Sequence, residues 1–195
     1  MMRIFNSTQS GLAFKLPKGL QLVASALLLS SAVHVGATSL VIGDQAPDFE
    51  VTTLAGKTFK LSDYEGEKPV YLKFWATWCS YCKVEMPHLQ SIHNKYGDDV
   101  EVLAINVGIN DSVANIENFF NAGGFNLPTV FDQRGDLVTS YGIVGTPHHV
   151  LVDIDGQVAY RTFLASDTLD DTIDDWSVAR TQKKARKTFS KHGRR

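Results

Sequence analysis

Cysteine is scarce in this chain, since its 195 residues include only Cys79 and Cys82. Two cysteines exclude a zinc site made of four thiolates. A chain of this length with 44% hydrophobic residues buries a core without help from disulfides. The two thiols therefore raise a question of chemistry, because they fit a redox pair, part of a metal site or a structural link.

Acidic residues are absent from both ends of the chain. Residues 1–37 carry three basic side chains, and residues 177–195 carry eight. Residues 38–176 contain eight basic and 21 acidic residues, a net charge of −13, which argues against a nucleic-acid-binding core. We therefore expect an N-terminal segment (1–37), one domain (38–176) and a basic tail (177–195). The tail is expected to be a solvated helix extension or a contact for anionic lipid.

A long hydrophobic run is also missing. The apolar run from Gly19 to Val33 has 15 residues, whereas a membrane-spanning helix needs about 20. It follows a basic leader ending at Lys18 and precedes small residues, so it predicts a signal peptide cleaved after Ala37. An uncleaved N-terminal anchor is the alternative. Both interpretations predict export to the periplasm, where disulfides persist.

The hydrophobic pattern predicts one mixed α/β domain without internal repeats. Alternation on both sides of Ala55-Gly56-Lys57 predicts an N-terminal β-hairpin. The further predicted elements are strand 70–76, helix 80–96, strand 100–107, helix 112–122, strand 127–131, a short helix 137–141, strands 149–154 and 158–163, and a helix beginning at Ser166 or Asp167. Pro87 should kink the first helix. This order predicts a mixed sheet covered by helices on both sides.

The sequence WATWCSYCK places both cysteines where a buried strand gives way to a helix. Cys79 is expected at the first helical turn, where free amides and the helix dipole lower the pKa of a thiol. Cys82, one turn later, can attack a mixed disulfide and close a ring. The same spacing also forms half of a zinc site. A purely structural disulfide gains little, because a four-residue ring constrains the unfolded chain weakly.

Four segments resemble the TlpA/ResA-like branch of the thioredoxin-like (redoxin) proteins. They are FWATWCSYCKVEMPHL (74–89), IGDQAPDFEVTTLAGKTFKLSD (42–63), FNLPTVFD (125–132) and YGIVGTPHHVLVDIDGQV (141–158). The resemblance covers residues 40–176. It implies a thioredoxin-like fold with an N-terminal β-hairpin extension and an exported thiol-disulfide oxidoreductase. It implies no cofactor other than the redox-active disulfide itself.

The resemblance also assigns roles to individual residues. Cys79 is implied to be the attacking cysteine and Cys82 the resolving one. Pro147 is implied to follow a cis peptide bond and to pack against the disulfide. Thr146 is implied to offer main-chain groups to the substrate polypeptide, and Trp78 to border the catalytic surface.

Two charged residues near the cysteine pair are expected to affect its proton transfer. Glu85 lies one helical turn after Cys82 and matches a glutamate that assists proton transfer in ResA-like proteins. A solvated carboxylate on the helix surface is the alternative. Lys73 stands where typical thioredoxins have a buried acidic residue, six positions before the first cysteine. It is expected either to pair with Glu85 and tune it, or to lie on an exposed edge.

A histidine pair, His148-His149, departs from the small or hydroxylated residues that the family more often has there. Only one of them can face the site in an alternating strand. We expect His148 to stabilise a thiolate, contact substrate or bind copper with Cys79 and Cys82, or else to be a surface histidine without a role. A zinc site would draw its remaining ligands from His88, His148 and His149.

The predicted function is that of an exported protein-disulfide oxidoreductase that acts as a reductant. Its expected partners are disulfide-containing polypeptides, in cytochrome c maturation or thiol maintenance, and a membrane protein that re-reduces it. A copper metallochaperone using Cys79, Cys82 and His148 is one alternative. A thiol peroxidase is another, although Ala76 and Leu72 stand where such enzymes have a threonine or serine and a proline.

Overall fold

The computed structural model describes residues 40–192, with side chains as far as residue 186. The predicted signal segment and the end of the basic tail lie outside the described residues. The strands are β1 (Glu50–Thr52), β2 (Thr58–Lys60), β3 (Val70–Trp75), β4 (Glu101–Asn106), β5 (Thr129–Phe131), β6 (His148–Val152) and β7 (Val158–Thr162). The helices are α1 (Ser80–Tyr96), α2 (Val113–Gly123), α3 (Asp136–Ser140) and α4 (Asp167–His192), with a 3₁₀ turn at Leu61–Tyr64.

The main sheet has the strand order β5-β4-β3-β6-β7. Strands β3, β4 and β5 are parallel, whereas β6 and β7 run antiparallel to their neighbours. This confirms the predicted mixed sheet flanked by helices. All six residues of β3 are buried, as its nearly continuous apolar sequence predicts for a central strand. The cysteines that follow β3 therefore lie at the carboxyl end of the central strand.

The N-terminal hairpin prediction is confirmed by a separate two-stranded sheet, β1-β2. Phe49, just before β1, stacks on Phe59 of β2 with ring centroids 5.8 Å apart. Phe49 also meets the edge of Tyr141, whose hydroxyl donates to the carbonyl of Pro47. These contacts pack the hairpin extension against the main domain.

The helices bury the faces that their spacing predicts. In α1 the buried side chains are Cys82, Met86, Leu89 and Ile92, a three-to-four residue repeat. In α4 they are Leu169 and Ile173, and the Ser166 hydroxyl accepts the Leu169 amide hydrogen as the predicted cap. Helix α1 continues through Pro87. The kink expected there stays a prediction.

Helix α4 extends beyond the predicted domain end at Trp176. Its next turns contact Asp99, with the Lys184 Nζ 2.7 Å and the Arg180 Nε 3.6 Å from Asp99 Oδ1. Ser177 donates a hydrogen bond to the same carboxylate. The predicted boundary falls inside a continuous helix, and cations of the basic tail pair with an acidic residue of the domain. Within residues 40–192, none of the helices combines the length and hydrophobicity needed to cross a membrane.

Candidate active site

Cys79 and Cys82 form a disulfide at the start of α1. Cys79 is the N-cap residue of the helix, with extended backbone angles, and its Sγ accepts the Cys82 amide hydrogen at 3.2 Å. Cys79 is 6% exposed, whereas Cys82 is fully buried. A thiolate at Cys79 would lie at the positive end of the helix dipole. The geometry makes Cys79 the accessible sulfur of the pair.

The loop that carries the cysteines is tied to the loop after β4. The backbone amide and the hydroxyl of Thr77 both donate to Asp111, each at 2.7 Å, and the Asn106 side chain donates to it at 2.8 Å. Burial raises the pKa of Asp111, but these donors outweigh it and lower the pKa. The Trp78 indole donates to the carbonyl of Ile109 at 2.7 Å, with half of the Trp78 surface exposed.

The Glu85 carboxylate lies at the centre of a second set of contacts, beside Cys82 on α1. Lys73 Nζ is 2.6 Å from Glu85 Oε2, and His149 Nε2 is 3.2 Å from the same oxygen. The Ala165 backbone amide donates to Oε1 at 2.9 Å. Lys73 of β3 and His149 of β6 face each other in register, so both side chains emerge on the face that α1 covers. The predicted Lys73–Glu85 pair is confirmed, and the exposed position for Lys73 is wrong.

Electrostatics fix the charge of this carboxylate. Burial raises the pKa of Glu85, but hydrogen bonds from His149, Lys73 and Ala165 outweigh it and bring the pKa to about 2. Burial lowers the pKa of Lys73, and Glu85 opposes that effect. Burial likewise lowers the pKa of His149, against the attraction of Glu85. Glu85 is therefore ionised at neutral pH, next to a neutral imidazole.

Tyr71 extends the contacts of Glu85 further into the core. Its hydroxyl lies 2.6 Å from His149 Nδ1, and its side chain is buried. Burial raises the pKa of Tyr71 well above its ordinary value, so the hydroxyl keeps its proton. We call Tyr71, Lys73, Glu85 and His149 the Glu85 cluster. Sequence reasoning missed Tyr71, although its two-residue spacing from Lys73 on β3 places both on one face.

His148 faces the opposite side from the Glu85 cluster. The His148 side chain is 4% exposed. Its Nε2 lies 3.0 Å from Nη2 of Arg161, and its ring packs edge-on against Phe163 with the ring centroids 4.7 Å apart. Burial, followed by the Arg161 charge, lowers the pKa of His148 to about 4. The histidine that contacts Glu85 is His149, and the contacts expected of His148 with a thiolate or a substrate stay predictions. Both are buried, so a surface position is wrong for either.

The predicted substrate loop precedes β6. The peptide bond between Thr146 and Pro147 is cis, and Pro147 is buried. Thr146 is half-buried, and within the described part of the chain its hydroxyl has no hydrogen-bond partner. Val144, two residues earlier, is 86% exposed. The loop thus presents an apolar side chain and main-chain groups close to the start of β6.

The metal sites weighed from the sequence are not assembled. Among residues 40–192, no group of three or more His, Cys, Asp or Glu side chains is arranged to hold a metal ion. His88, a zinc candidate, instead lies 2.9 Å from Asp170 of α4. The copper set of Cys79, Cys82 and His148 is likewise not brought together as such a group.

Comparison with known proteins identifies the family. Residues 42–161 match the model of the AhpC/TSA family, which is more than half of the chain. The chain belongs to the AhpC/TSA family. One similar relative is the thiol-disulfide oxidoreductase ResA of Geobacillus thermodenitrificans. It is 38% identical over 122 residues, which are 62% of this chain and 68% of ResA.

Two solved structures extend the comparison. A protein named as a thiol:disulfide interchange protein DsbE from Chlorobium tepidum superposes with a TM-score of 0.62 at 29% identity, over 72% of this chain and 98% of its own. The exposed lipoprotein thioredoxin of Streptococcus pneumoniae superposes with a TM-score of 0.58 at 35% identity. The match covers 66% of this chain and 99% of the Streptococcus pneumoniae chain. This AhpC/TSA protein is a thiol-disulfide oxidoreductase with a thioredoxin-like fold, as the sequence resemblance implied.

Proposed function

We propose that this AhpC/TSA protein is an exported enzyme that reduces disulfides in polypeptide substrates. The observation that carries the proposal is the asymmetry of the cysteine pair. Cys79 caps α1 and is partly accessible, whereas Cys82 is fully buried behind it. An accessible thiolate at a helix N-terminus is the nucleophile of thiol-disulfide exchange.

The proposed reaction starts from the reduced enzyme. The Cys79 thiolate attacks one sulfur of the substrate disulfide and expels the other as a thiolate. Cys82 then loses its proton and attacks Cys79 Sγ, which forms the intramolecular disulfide and releases the second substrate sulfur. Two electrons pass from the enzyme to the substrate. Glu85, one turn from Cys82 on α1, assists the transfer of the Cys82 proton.

The substrate side of the proposal rests on exposed groups around the cysteines. Trp78 and Val144 offer apolar surface, and Thr146 offers main-chain groups to an extended polypeptide. Cytochrome c maturation or general thiol maintenance would provide such substrates. A membrane thiol reductant would return the Cys79–Cys82 disulfide to its reduced form. Such a donor is needed because each turnover leaves the enzyme oxidised.

Export is proposed from the basic leader and the apolar run Gly19–Val33. The name of the Streptococcus pneumoniae relative describes that protein as an exposed lipoprotein. The test is protease digestion of intact and of lysed cells that express the full chain. Digestion in cells whose outer barrier alone is opened supports export, and digestion only after complete lysis contradicts it.

Insulin reduction tests the activity. The full chain should reduce insulin, Cys79→Ser should abolish the reaction, and Cys82→Ser should accumulate a mixed disulfide with insulin. Ser91→Ala, an exposed position on α1, is the matched control and should keep full activity. Retained activity in Cys79→Ser would contradict the proposal. Turnover of hydrogen peroxide, or stoichiometric copper binding without insulin reduction, would favour the alternatives instead.

The reduction potential of the Cys79–Cys82 couple decides whether the protein reduces or oxidises its substrates. A value near −270 mV, as in thioredoxin, means a reductant, whereas a value near −120 mV means an oxidant. Equilibration of the Cys79–Cys82 couple with glutathione or dithiothreitol buffers provides the measurement. A potential at the oxidising end would overturn the assignment as a reductase.

A further inference from the structure

Glu85 is oriented by neighbours that the proposed reaction does not itself use. We propose that Tyr71 and His149 are positioning residues for Glu85. In this proposal Tyr71 donates to Nδ1 of His149 and holds the imidazole so that its Nε2–H donates to the carboxylate. The inference rests on the proposed function, in which Glu85 assists the transfer of the Cys82 proton. It adds two residues on two different strands to that step.

The first step of the argument concerns the tautomer of His149. Its Nε2 faces Glu85 Oε2 at 3.2 Å, and an ionised carboxylate only accepts hydrogen bonds. Nε2 of the neutral ring therefore carries the hydrogen. Nδ1 is then an acceptor, and the only proton available to it across the 2.6 Å contact is that of the Tyr71 hydroxyl. The donation runs from Tyr71 through His149 to Glu85.

The second step concerns the hydrogen-bond acceptor positions of the Glu85 carboxylate. A carboxylate offers about four acceptor positions. Oε2 accepts from Lys73 and His149, and Oε1 accepts the Ala165 amide hydrogen. In the part of the chain that the structure describes, one position on Oε1 is left open. Cys82 lies three residues earlier on the same face of α1, so the resolving cysteine is the neighbour along the helix.

The third step concerns the titratable groups around His149. Strand β3 contributes Tyr71 and Lys73, and α1 contributes Glu85 and His88. Helix α4 contributes Asp170, which lies 2.9 Å from His88 and acts on Tyr71. Lys73 and Glu85 act on the pKa of the imidazole in opposite directions, and His88 adds a smaller effect that lowers it. The contribution of the imidazole to Glu85 is a directed hydrogen bond.

The consequence is a prediction about the variants. Without the Tyr71 hydroxyl, Nδ1 loses its hydrogen-bond donor, so the imidazole is held less firmly and its Nε2–H donates less strongly to Glu85 Oε2. The carboxylate thus keeps a weakened donor in Tyr71→Phe and loses that donor altogether in His149→Met. Ionised Glu85 becomes less favourable, and its pKa rises. Tyr71→Phe and His149→Met should both show this effect.

The test is a titration of Glu85 by ¹³C NMR on the oxidised full chain with labelled glutamate. In His149→Met the midpoint for Glu85 should rise by about one to two pH units, the value of one lost charged hydrogen bond, and in Tyr71→Phe it should rise by less. His148→Met is the matched control, since it removes the neighbouring buried histidine, which bonds to Arg161 and not to Glu85. His149→Gln, whose amide nitrogen can still donate, should bring the Glu85 midpoint most of the way back to that of the parent protein.

A second readout covers the reaction. In single-turnover reduction, the acid limb of the pH profile for Cys82 attack should move up together with the Glu85 midpoint, by more in His149→Met than in Tyr71→Phe. Unchanged Glu85 midpoints in both Tyr71→Phe and His149→Met would overturn the inference, as would equal shifts in His148→Met. Tyr71→Phe keeps the buried ring and remains informative if His149→Met fails to fold. The titration needs no substrate, so its failure is distinguishable from a failure of the proposed reductase activity.

Discussion

Replacing Glu85 alone should destabilise the protein more than replacing Glu85 and Lys73 together. In Glu85→Gln the ammonium of Lys73 loses its partner while its side chain stays 1% exposed. Removing one member of a buried ion pair costs about 3–5 kcal/mol, because an uncompensated charge is left behind. In Lys73→Met/Glu85→Gln no buried charge remains. Replacing both members of such a pair is often close to neutral.

The assay is denaturant unfolding of the oxidised protein at pH 7. We expect Glu85→Gln to lower the free energy of unfolding by about 3 kcal/mol or more, and the double variant to recover a large part of that loss. Glu117→Gln, an exposed glutamate on α2, is the control and should stay within about 0.5 kcal/mol of the parent protein. A double variant as unstable as Glu85→Gln would refute the reasoning.

The pH dependence of Glu85→Gln provides an independent check. Burial holds the pKa of Lys73 below its ordinary value, and Glu85 opposes that shift. Without Glu85 the pKa in the folded state falls further, so around and above neutral pH the unfolded chain binds more protons at Lys73. Stability rises with pH wherever the unfolded state binds more protons. The free energy of unfolding should therefore increase from pH 7 to pH 10 more steeply in Glu85→Gln than in the parent protein.

Three further substitutions test the supports of the site. Asp111→Ala leaves the Thr77 donors without their acceptor, so we expect a loss of about 1–3 kcal/mol in denaturant unfolding and faster hydrogen exchange of the Thr77 amide. Ser112→Ala removes the α2 cap that accepts from an amide of the first turn, and should lower the free energy of unfolding by about 1 kcal/mol. Leu103→Ala, in buried β4, should cost about 2–5 kcal/mol in the same assay without moving the reduction potential.

The order of the elements and the redox pair were predictable from local sequence. A continuous apolar run made β3 a central strand, and the C-x-x-C after it fell at the first turn of α1, as the spacing required. Glu85 was predictable too, because a three-residue step along a helix keeps it on the face of Cys82. Each of these inferences depends only on residues close together in the sequence. The repeat of the strand or helix determines how such residues lie relative to one another.

The identity of the second histidine was not predictable in that way. Alternation along β6 says that His148 and His149 point to opposite faces, but the face that α1 covers depends on how β6 pairs with β3. That register puts His149 opposite Lys73 and brings it to Tyr71, 78 residues away in the chain. The contacts between Thr77 and Asp111 also depend on tertiary structure. They form because β3 and β4 are parallel, so the loops that follow the two strands lie side by side.

The sequence by itself determined where the two cysteines lie, because a strand, a C-x-x-C and a helix occupy consecutive residues. The tertiary structure decided how they are tuned. Lys73, Glu85 and His149 lie on β3, α1 and β6, and their charges and hydrogen bonds act on one another only after the sheet has formed and the helix has covered it. Burial then sets the pKa of each group through partners that are remote in sequence.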